Sequence, residues 1–377
     1  MSSPVPSSLF QPTKIGNMVL NHRVVLAPLT RYKSSRPDHV PIVRLMKEYY
    51  SQRSSVPGSF LVTEATFIAA KAGGYHNIPG IWTKDQISAW KEITDGVHAN
   101  GSYIFLQMWA LGRTAIPEQL KSDDPSLDFV APSAIPMDSN SPTPRSLTIP
   151  EIEEYVQLYG QAAKNAIEAG FDGVEIHAAN GYLIDEFLQD VSNQRTDAYG
   201  GSIENRSRFG LEVVSSVVKA VGAKRTGIRL SPWSPYQGMK MENPVPQFSH
   251  FITSLRSKYP DIAYLHLVEP RIDGNFEVQG LHHESNDFAR AIWKPLPLIT
   301  AGGYSRETAM KIAEENGELI AFGRFYISNP DLPMRLKKNI PLTPYNRKTF
   351  YTPGDQEGAN IGYVDYPFAD IKGTGSA

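Results

Sequence analysis

The chain has 377 residues, 41% of them hydrophobic, so it can bury a large core, which excludes an intrinsically disordered chain and a collagen-like repeat. It contains no cysteine, which excludes disulfide bonds, a thiolate nucleophile, iron–sulfur clusters and cysteine-ligated zinc. Its 37 Lys and Arg residues nearly balance 39 Asp and Glu residues, and this net charge of −2 without a basic run argues against binding nucleic acid or an anionic membrane.

Eight short apolar segments, rich in Val, Ile, Leu and Phe, recur along the chain after a predicted β-hairpin over Leu9–Asn21 that turns at Gly16-Asn17. Their apolarity is nearly continuous rather than alternating, which is typical of parallel strands buried on both faces. The predicted strands are Arg23–Leu29, Ser59–Ala65, Tyr103–Trp109, Gly173–Ala178, Thr226–Leu230, Ala263–Val268, Leu296–Ala301 and Leu319–Phe325.

Segments with helical periodicity lie between these strands. The clearest are Asp85–Asn100 and Thr148–Gly170, and the second has a threonine N-cap, a proline in its first turn and a terminal glycine. Further helices are predicted over Ile203–Val221, Gln247–Lys258, Ser285–Trp293 and Arg306–Glu315.

The alternation of eight strands with helices predicts an α/β fold, a single (β/α)8 TIM barrel over residues 1–377, with the hairpin (9–21) plugging its N-terminal face. An open doubly wound sheet is the alternative, although no Gly-x-Gly-x-x-Gly motif follows an early strand. The long stretch 112–150, rich in Pro, Ser and Asp, is predicted to be a lid-like insertion after the third strand, or else an insertion without a role. Residues 352–377 are assigned to a C-terminal tail.

Polar residues at the C-terminal ends of the strands are the candidate site, because barrels of this type build their sites there. Gly302-Gly303 and Gly323-Arg324 follow the seventh and eighth strands, where exposed backbone N–H groups and a cationic side chain can bind phosphate. Ordinary turns are the alternative interpretation of these glycines.

The end of the fourth strand carries His177, Asn180 and Tyr182. The first two can point hydrogen-bond donors at one acceptor atom with the tyrosine hydroxyl close by, which suits a carbonyl oxygen that becomes an enolate. The alternative for His177 is a core histidine bonded to a backbone carbonyl. The run His282–Glu284 contains metal-ligand residue types, but we expect it to face solvent in a polar loop, and no metal site is predicted.

Several longer motifs extend this pattern over nearly the whole chain, from about Leu9 to Pro367. They are Ala27-Pro28-Leu29-Thr30-Arg31, Tyr49-Tyr50-Ser51-Gln52-Arg53, Ile176-His177-Ala178-Ala179-Asn180-Gly181-Tyr182-Leu183, the run Tyr199–Phe209, Gly323-Arg324-Phe325 and Asp365-Tyr366-Pro367. In these motifs and in their order, the chain resembles the old yellow enzyme family of FMN-dependent ene-reductases.

The resemblance implies a bound FMN that is reduced by NADPH. Thr30 would hydrogen-bond the flavin C4 carbonyl and Gln107 the pyrimidine edge. Arg229 would lie against N1 and the C2 carbonyl, where it would stabilise the negative charge of reduced flavin. The remaining implied contacts are Pro28, Leu29 and Ala65 along the ring, and Gly302, Gly303, Gly323 and Arg324 at the ribityl phosphate.

The resemblance also implies reduction of the activated C=C bond of an α,β-unsaturated carbonyl compound, an enone or an enal. His177 and Asn180 would bind the carbonyl oxygen so that the β-carbon accepts hydride from flavin N5. Tyr182 would protonate the α-carbon, since a phenol with a pKa of about 10 is protonated at neutral pH. Side chains expected over the flavin face, where they would shape substrate choice, are Tyr75, Trp109, Tyr236 and Tyr351.

Three positions distinguish this chain among members of that family. Thr30 stands where a subgroup carries cysteine, which places the chain with the Thr-bearing fungal and plant-like group, and Asn180 stands where other members have histidine. Some members that migrate a double bond have a non-acidic aromatic residue in place of Tyr182, so Tyr182 favours net reduction. The alternatives are a flavin-dependent, redox-neutral isomerase or reductase of a natural-product pathway, and a catalytically silent barrel that acts as a binding module.

The sequence predicts a cytoplasmic protein, monomeric or homodimeric, whose partners are small molecules rather than nucleic acid or membrane. No apolar stretch approaches the roughly 18 residues that cross a bilayer. The first residues, MSSPVPSSLF, lack the basic and apolar regions of a signal peptide, and the last residues match no retention or peroxisomal signal.

Overall fold

A closed barrel of parallel strands forms the centre of the computed structural model, which describes residues 7–274, 276–278 and 284–370. The barrel strands are β1 (Val24–Leu26), β2 (Phe60–Val62), β3 (Tyr103–Trp109), β4 (Gly173–Ala178), β5 (Thr226–Leu230), β6 (Tyr264–Val268), β7 (Leu298–Ala301) and β8 (Leu319–Phe322). Each strand pairs in parallel with its neighbour in the chain, and β8 pairs with β1, so the sheet closes. The predicted α/β TIM barrel is therefore confirmed.

Helices alternate with the strands and cover the outside of the barrel. Within the described residues they are α1 (Val43–Arg53), α2 (Lys84–Ala99), α3 (Pro117–Asp123), α4 (Ile149–Glu168), α5 (Leu183–Leu188), α6 (Ile203–Val221), α7 (Val245–Lys258), α8 (Asp287–Trp293), α9 (Arg306–Asn316), α10 (Arg324–Ser328) and α11 (Leu332–Lys338). The start of α4 follows from its sequence, because Thr148 and Glu151 form a reciprocal capping box. None of these helices combines the length and apolarity that crossing a lipid bilayer requires.

Several predicted strands are too long at the end that carries the site. The first was predicted over Arg23–Leu29 but spans only Val24–Leu26, and the last ends at Phe322 rather than at Phe325. At Gly323 the backbone leaves the sheet, and α10 begins at the next residue. Apolarity continues past the last sheet hydrogen bond, because these residues line a cavity instead of extending a strand.

The N-terminal hairpin closes one end of the barrel. Its strands, Thr13–Ile15 and Met18–Leu20, pair antiparallel, and Gly16 adopts a φ of +52° at the turn. A Cβ atom on Gly16 would collide with the carbonyl oxygen of Lys224, so the hairpin lies directly against the segment that leads into β5. The buried hairpin side chains pack in one apolar cluster with inward side chains of the barrel, including Val25, Phe60, Phe105, Tyr264, Ile299 and Leu319.

The insertion between β3 and α4 contains α3 and a two-residue parallel ladder, Val130–Ala131 with Arg145–Ser146. Arg113 fixes its first turn: the backbone N–H donates to Glu186 at 2.8 Å, and the guanidinium donates to the Gln237 carbonyl oxygen at 3.1 Å. The insertion is thus tied to α5 and to the loop after β5, and its role as a lid stays a prediction.

The C-terminal segment packs against the loop that follows β1. Arg31 donates from Nε to the Phe350 carbonyl oxygen at 2.9 Å and from Nη2 to the Gly362 carbonyl oxygen at 2.8 Å. The Tyr363 ring stacks on Tyr49 of α1 with a centroid distance of 4.3 Å. These contacts bring residues near position 350 to the rim of the barrel.

Candidate active site

A cavity of about 960 Å³ lies at the C-terminal ends of the barrel strands. Every site residue predicted from the sequence, from Pro28 after β1 to Arg324 after β8 and Tyr351 beyond it, lines this one cavity. The structure therefore brings the predicted residues together, while the role of each stays a prediction.

His177 lies at the end of β4 between aromatic rings. It stacks on Trp109 with centroids 6.1 Å apart and meets the edge of Tyr182 at 4.9 Å. Burial lowers the pKa of His177 well below its ordinary value, and the nearby charge of Arg229 lowers it further. The ring is therefore neutral, and because Nδ1 accepts from the Ala179 backbone N–H at 3.3 Å, Nε2 carries the proton.

The turn after β4 holds Asn180 in a left-handed conformation, with a φ of +58°. Its backbone N–H donates to Ser231 Oγ at 2.7 Å, and its carbonyl oxygen accepts from Gln237 Nε2 at 2.5 Å. The next N–H, of Gly181, donates to Asp185 Oδ2 at 2.9 Å. By contrast, the side-chain oxygen of Asn180 is buried and has no hydrogen-bond partner among the described residues.

Tyr182 is a partly buried phenol that lines the cavity. Burial raises its pKa well above the ordinary value, and the neighbouring Tyr75 and Tyr236 raise it further, although a hydrogen bond with Gln237 opposes the shift. Its ring meets the edge of Trp109 at a centroid distance of 4.7 Å and an interplanar angle of 87°. Tyr182 is therefore protonated over the whole physiological pH range and can donate its proton.

Two buried residues behind the cavity wall, Glu175 and His266, were not predicted from the sequence. Gln107 Nε2 donates to Glu175 Oε1 at 2.7 Å, and Glu175 Oε2 lies 2.8 Å from His266 Nδ1. Arg229, on β5 between these strands, has a buried Nε atom without a hydrogen-bond partner in the described part of the chain. The available signal was a polar residue within an otherwise apolar strand, at position 175 in GVEIHA and at position 266 in YLHLV.

The predicted phosphate end of the cavity is built from glycine backbone and one cation. A Cβ atom on Gly302 would lie 2.6 Å from Glu269 Cβ, so only glycine fits there. Arg324 donates to Tyr345 Oη at 3.1 Å and forms an ion pair with Glu277. An anion that binds Arg324 must therefore compete with the Glu277 carboxylate, which the sequence did not indicate.

Tyr32 is a further cavity residue that was not predicted. Its φ of +56° is strained for a residue with a Cβ atom, and its ring meets the edge of Tyr351 at 5.8 Å. Burial raises its pKa to about 12. A left-handed tyrosine results from tertiary packing, so local sequence gives no signal for it.

One side chain of the cluster His282–Glu284 contradicts the predicted exposure. His282 and His283 lie outside the described residues, but the Glu284 side chain is only 4% exposed, because it pairs with Lys240. Across 7–274, 276–278 and 284–370, no group of three His, Cys, Asp or Glu side chains is placed to hold a metal ion.

Comparison with known proteins is consistent with this geometry. Residues 8–343 match the model of the NADH:flavin oxidoreductase / NADH oxidase family. A chanoclavine-I aldehyde reductase of Penicillium roqueforti (strain FM164) is 50% identical over 367 residues, covering 96% of this chain and 97% of that protein.

Solved structures agree over nearly the full length. Morphinone reductase superposes with a TM-score of 0.88 at 38% identity, covering 99% of both chains. An Old Yellow Enzyme from Pichia sp. AKU4542 gives 0.87 at 40% identity, covering 96% of this chain and 94% of that one. The chain belongs to the NADH:flavin oxidoreductase / NADH oxidase family, as an old yellow enzyme-type, flavin-dependent oxidoreductase.

Proposed function

We propose that this protein binds FMN, uses NADPH as reductant and reduces the activated C=C bond of α,β-unsaturated aldehydes or ketones in the cytoplasm. The observation that carries the proposal is the convergence of neutral His177, Asn180 and protonated Tyr182 in one cavity. Such a set can bind a carbonyl oxygen and deliver a proton nearby.

The donor set fits FMN at both ends of the cavity. At one end, Arg229 offers hydrogen-bond donors and the Gln107 amide oxygen offers an acceptor, which suits a ring edge that carries carbonyl oxygens and an N–H group. At the other end, the glycines after β7 and the Arg324 guanidinium suit a phosphate. When bound, FMN supplies the two-electron chemistry that transfers hydride from NADPH to the substrate.

His177 and Asn180 bind the substrate carbonyl oxygen. His177 Nε2–H is a donor because Nδ1 is already used as an acceptor. The side-chain oxygen of Asn180 lacks a partner in the described residues, and rotation of the amide presents its NH2 group to a ligand. Two donors on one oxygen stabilise the negative charge that the oxygen gains as the C=C bond is reduced.

Tyr182 donates the proton to the substrate α-carbon. Its raised pKa keeps the phenol protonated, so the proton is present in every turnover. A donor at this position favours net reduction over movement of the double bond.

The aromatic wall of the cavity favours a bulky apolar substrate. Tyr75, Trp109, Tyr236 and Tyr351 line it, and Tyr236 and Tyr351 are 38% and 47% exposed at its rim. The relative named as a chanoclavine-I aldehyde reductase supports an aldehyde substrate.

The test begins with the visible spectrum of the purified protein and identification of the released flavin. A flavin spectrum, with FMN released on denaturation, is expected, and a colourless protein overturns the proposal. NADPH oxidation is then measured anaerobically with enals and enones, and product mass is determined. Reduction adds two hydrogens, whereas an unchanged mass identifies the redox-neutral isomerase. If the protein shows no activity, and if adding a phenol produces no long-wavelength absorption band, the protein is a silent binding module.

A further inference from the structure

Glu175 is a fully buried carboxylate that connects three barrel strands behind the cavity. It accepts from Gln107 of β3 at 2.7 Å and contacts His266 of β6 at 2.8 Å. In the strand register, Gln107 lies beside Glu175, while Arg229 lies beside His266. Neither Glu175 nor His266 is exposed at all, so solvent does not screen this cluster.

Glu175 is ionised within this cluster. Burial alone raises the pKa of a carboxyl, but His266, Arg229 and the Gln107 hydrogen bond outweigh burial and hold the pKa of Glu175 below its ordinary value. A carboxylate accepts hydrogen bonds and cannot donate them. The Gln107 amide must therefore turn its NH2 group toward Glu175, which leaves the amide oxygen available to the cavity.

The same carboxylate moderates the charge of Arg229. The guanidinium is the positive group at this end of the cavity, and its electrostatic interaction with Glu175 favours the charged form of Arg229 against the cost of burial. A negative charge beside it reduces the positive potential that Arg229 alone would project into the cavity.

We propose that Glu175 is a positioning residue that orients the Gln107 amide and limits the electron affinity of the bound flavin by offsetting Arg229. This inference rests on the proposed function, since it requires FMN in the cavity. Glu175 does not line the cavity, so it acts through Gln107 and Arg229, which do.

The test compares the Glu175→Gln holoenzyme with wild type. A glutamine carries no charge and has one acceptor oxygen in place of two, so it cannot accept hydrogen bonds from both Gln107 and His266. We expect the reduction potential of bound FMN to become more positive. We also expect the Kd of the apoprotein for FMN to rise about tenfold, the usual effect of losing a hydrogen bond to a charged group.

Two further variants keep the test decisive. Glu175→Asp keeps the charge but withdraws the carboxylate from Gln107, so FMN should bind more weakly while its reduction potential stays nearly unchanged. This variant also tests the proposal if Glu175→Gln does not fold. Glu318→Gln, which changes a buried carboxylate paired with Arg290, should alter neither quantity.

The outcomes separate this inference from the proposed function. Unchanged potential and FMN affinity in Glu175→Gln, or a more negative potential, overturn the role of Glu175 while the flavoenzyme stands. A wild-type apoprotein that binds no FMN overturns both.

Discussion

The two ends of the barrel are made from the same eight strands but differ in what they bury. At the hairpin end, aromatic rings fill the interior, with Phe60 meeting Phe105 at 5.1 Å and Tyr264 at 5.7 Å. At the cavity end, Trp109 Nε1 and Arg229 Nε are buried without partners in the described residues. Three left-handed residues that are not glycine, Tyr32, Asn77 and Asn180, also line the cavity.

This difference separates stability from function within one fold. A buried polar group without a partner destabilises the fold by about 1–3 kcal/mol. Such groups are therefore not explained by packing. Trp109, Asn180 and Arg229 each line the cavity with a buried polar atom that has no partner in the described residues, so a ligand there can complete their hydrogen bonds. Substitutions at the cavity end should therefore change chemistry, and substitutions at the hairpin end should change stability.

The largest expected effect is at Tyr182. Replacing Tyr182 with Phe removes the proton donor and should slow enal reduction by about 10²- to 10⁴-fold, while reduction of the flavin by NADPH keeps its rate. Stopped-flow absorbance measures the two half-reactions separately. Tyr103→Phe, at the opposite end of β3, is the matched control and should behave as wild type. An enal reduction rate within threefold of wild type would assign proton donation to another group.

The hairpin end should show the reverse pattern. Leu20 is fully buried, so Leu20→Ala should lower the free energy of unfolding by about 2–5 kcal/mol and leave kcat of the folded enzyme unchanged. Urea unfolding provides the measurement. The neighbouring Val19 is 56% exposed, and Val19→Ala should change stability by less than about 0.5 kcal/mol. A loss of kcat in Leu20→Ala would mean that the two ends are coupled.

A pH experiment should sharpen the comparison at Asp185. Burial raises the pKa of Asp185 from 3.8 to about 7, so between these values the folded state holds the proton more tightly than the unfolded chain. Stability from this group is therefore present at low pH and is lost as pH rises toward 7, by up to about 1.4 kcal/mol per pH unit.

Asp185→Asn cannot ionise, so it should lack this slope. From pH 5 to about pH 7 the unfolding free energy of wild type should fall relative to that of the variant, and from there to pH 8 the difference should stay constant. Asp95→Asn, on the exposed face of α2, should follow the wild-type curve. A constant difference across the range would show that Asp185 does not titrate there.

The smallest effect is expected at Glu277. Its carboxylate is 55% exposed and pairs with Arg324, so Glu277→Gln should free the cation and tighten binding of FMN to the apoprotein by a few-fold. Fluorescence titration measures the Kd. Glu315→Gln, in an exposed ion pair on α9, should leave the Kd unchanged. Weaker FMN binding in Glu277→Gln would assign Glu277 a supporting role in the site.

The sequence predicted the barrel and the composition of its cavity, because apolar runs and the polar residues that end them are local features. Strand lengths were wrong where apolar residues such as Phe325 leave the sheet. Glu175 and His266 were missed because each makes sense only through neighbours on other strands. The contact of Glu277 with Arg324 joins residues 47 positions apart, which no local pattern encodes.

The hairpin also has a kinetic consequence. Ile15, Met18 and Leu20 of the hairpin fill one end of the barrel. In the described part of the chain, the cavity therefore opens at the opposite end. Reductant and substrate must then use the same entrance in turn. Double-reciprocal plots of initial rate against NADPH concentration, at several enal concentrations, should accordingly be parallel lines. A high concentration of enal should inhibit reduction of the flavin by NADPH, and a high concentration of NADPH should inhibit reduction of the enal.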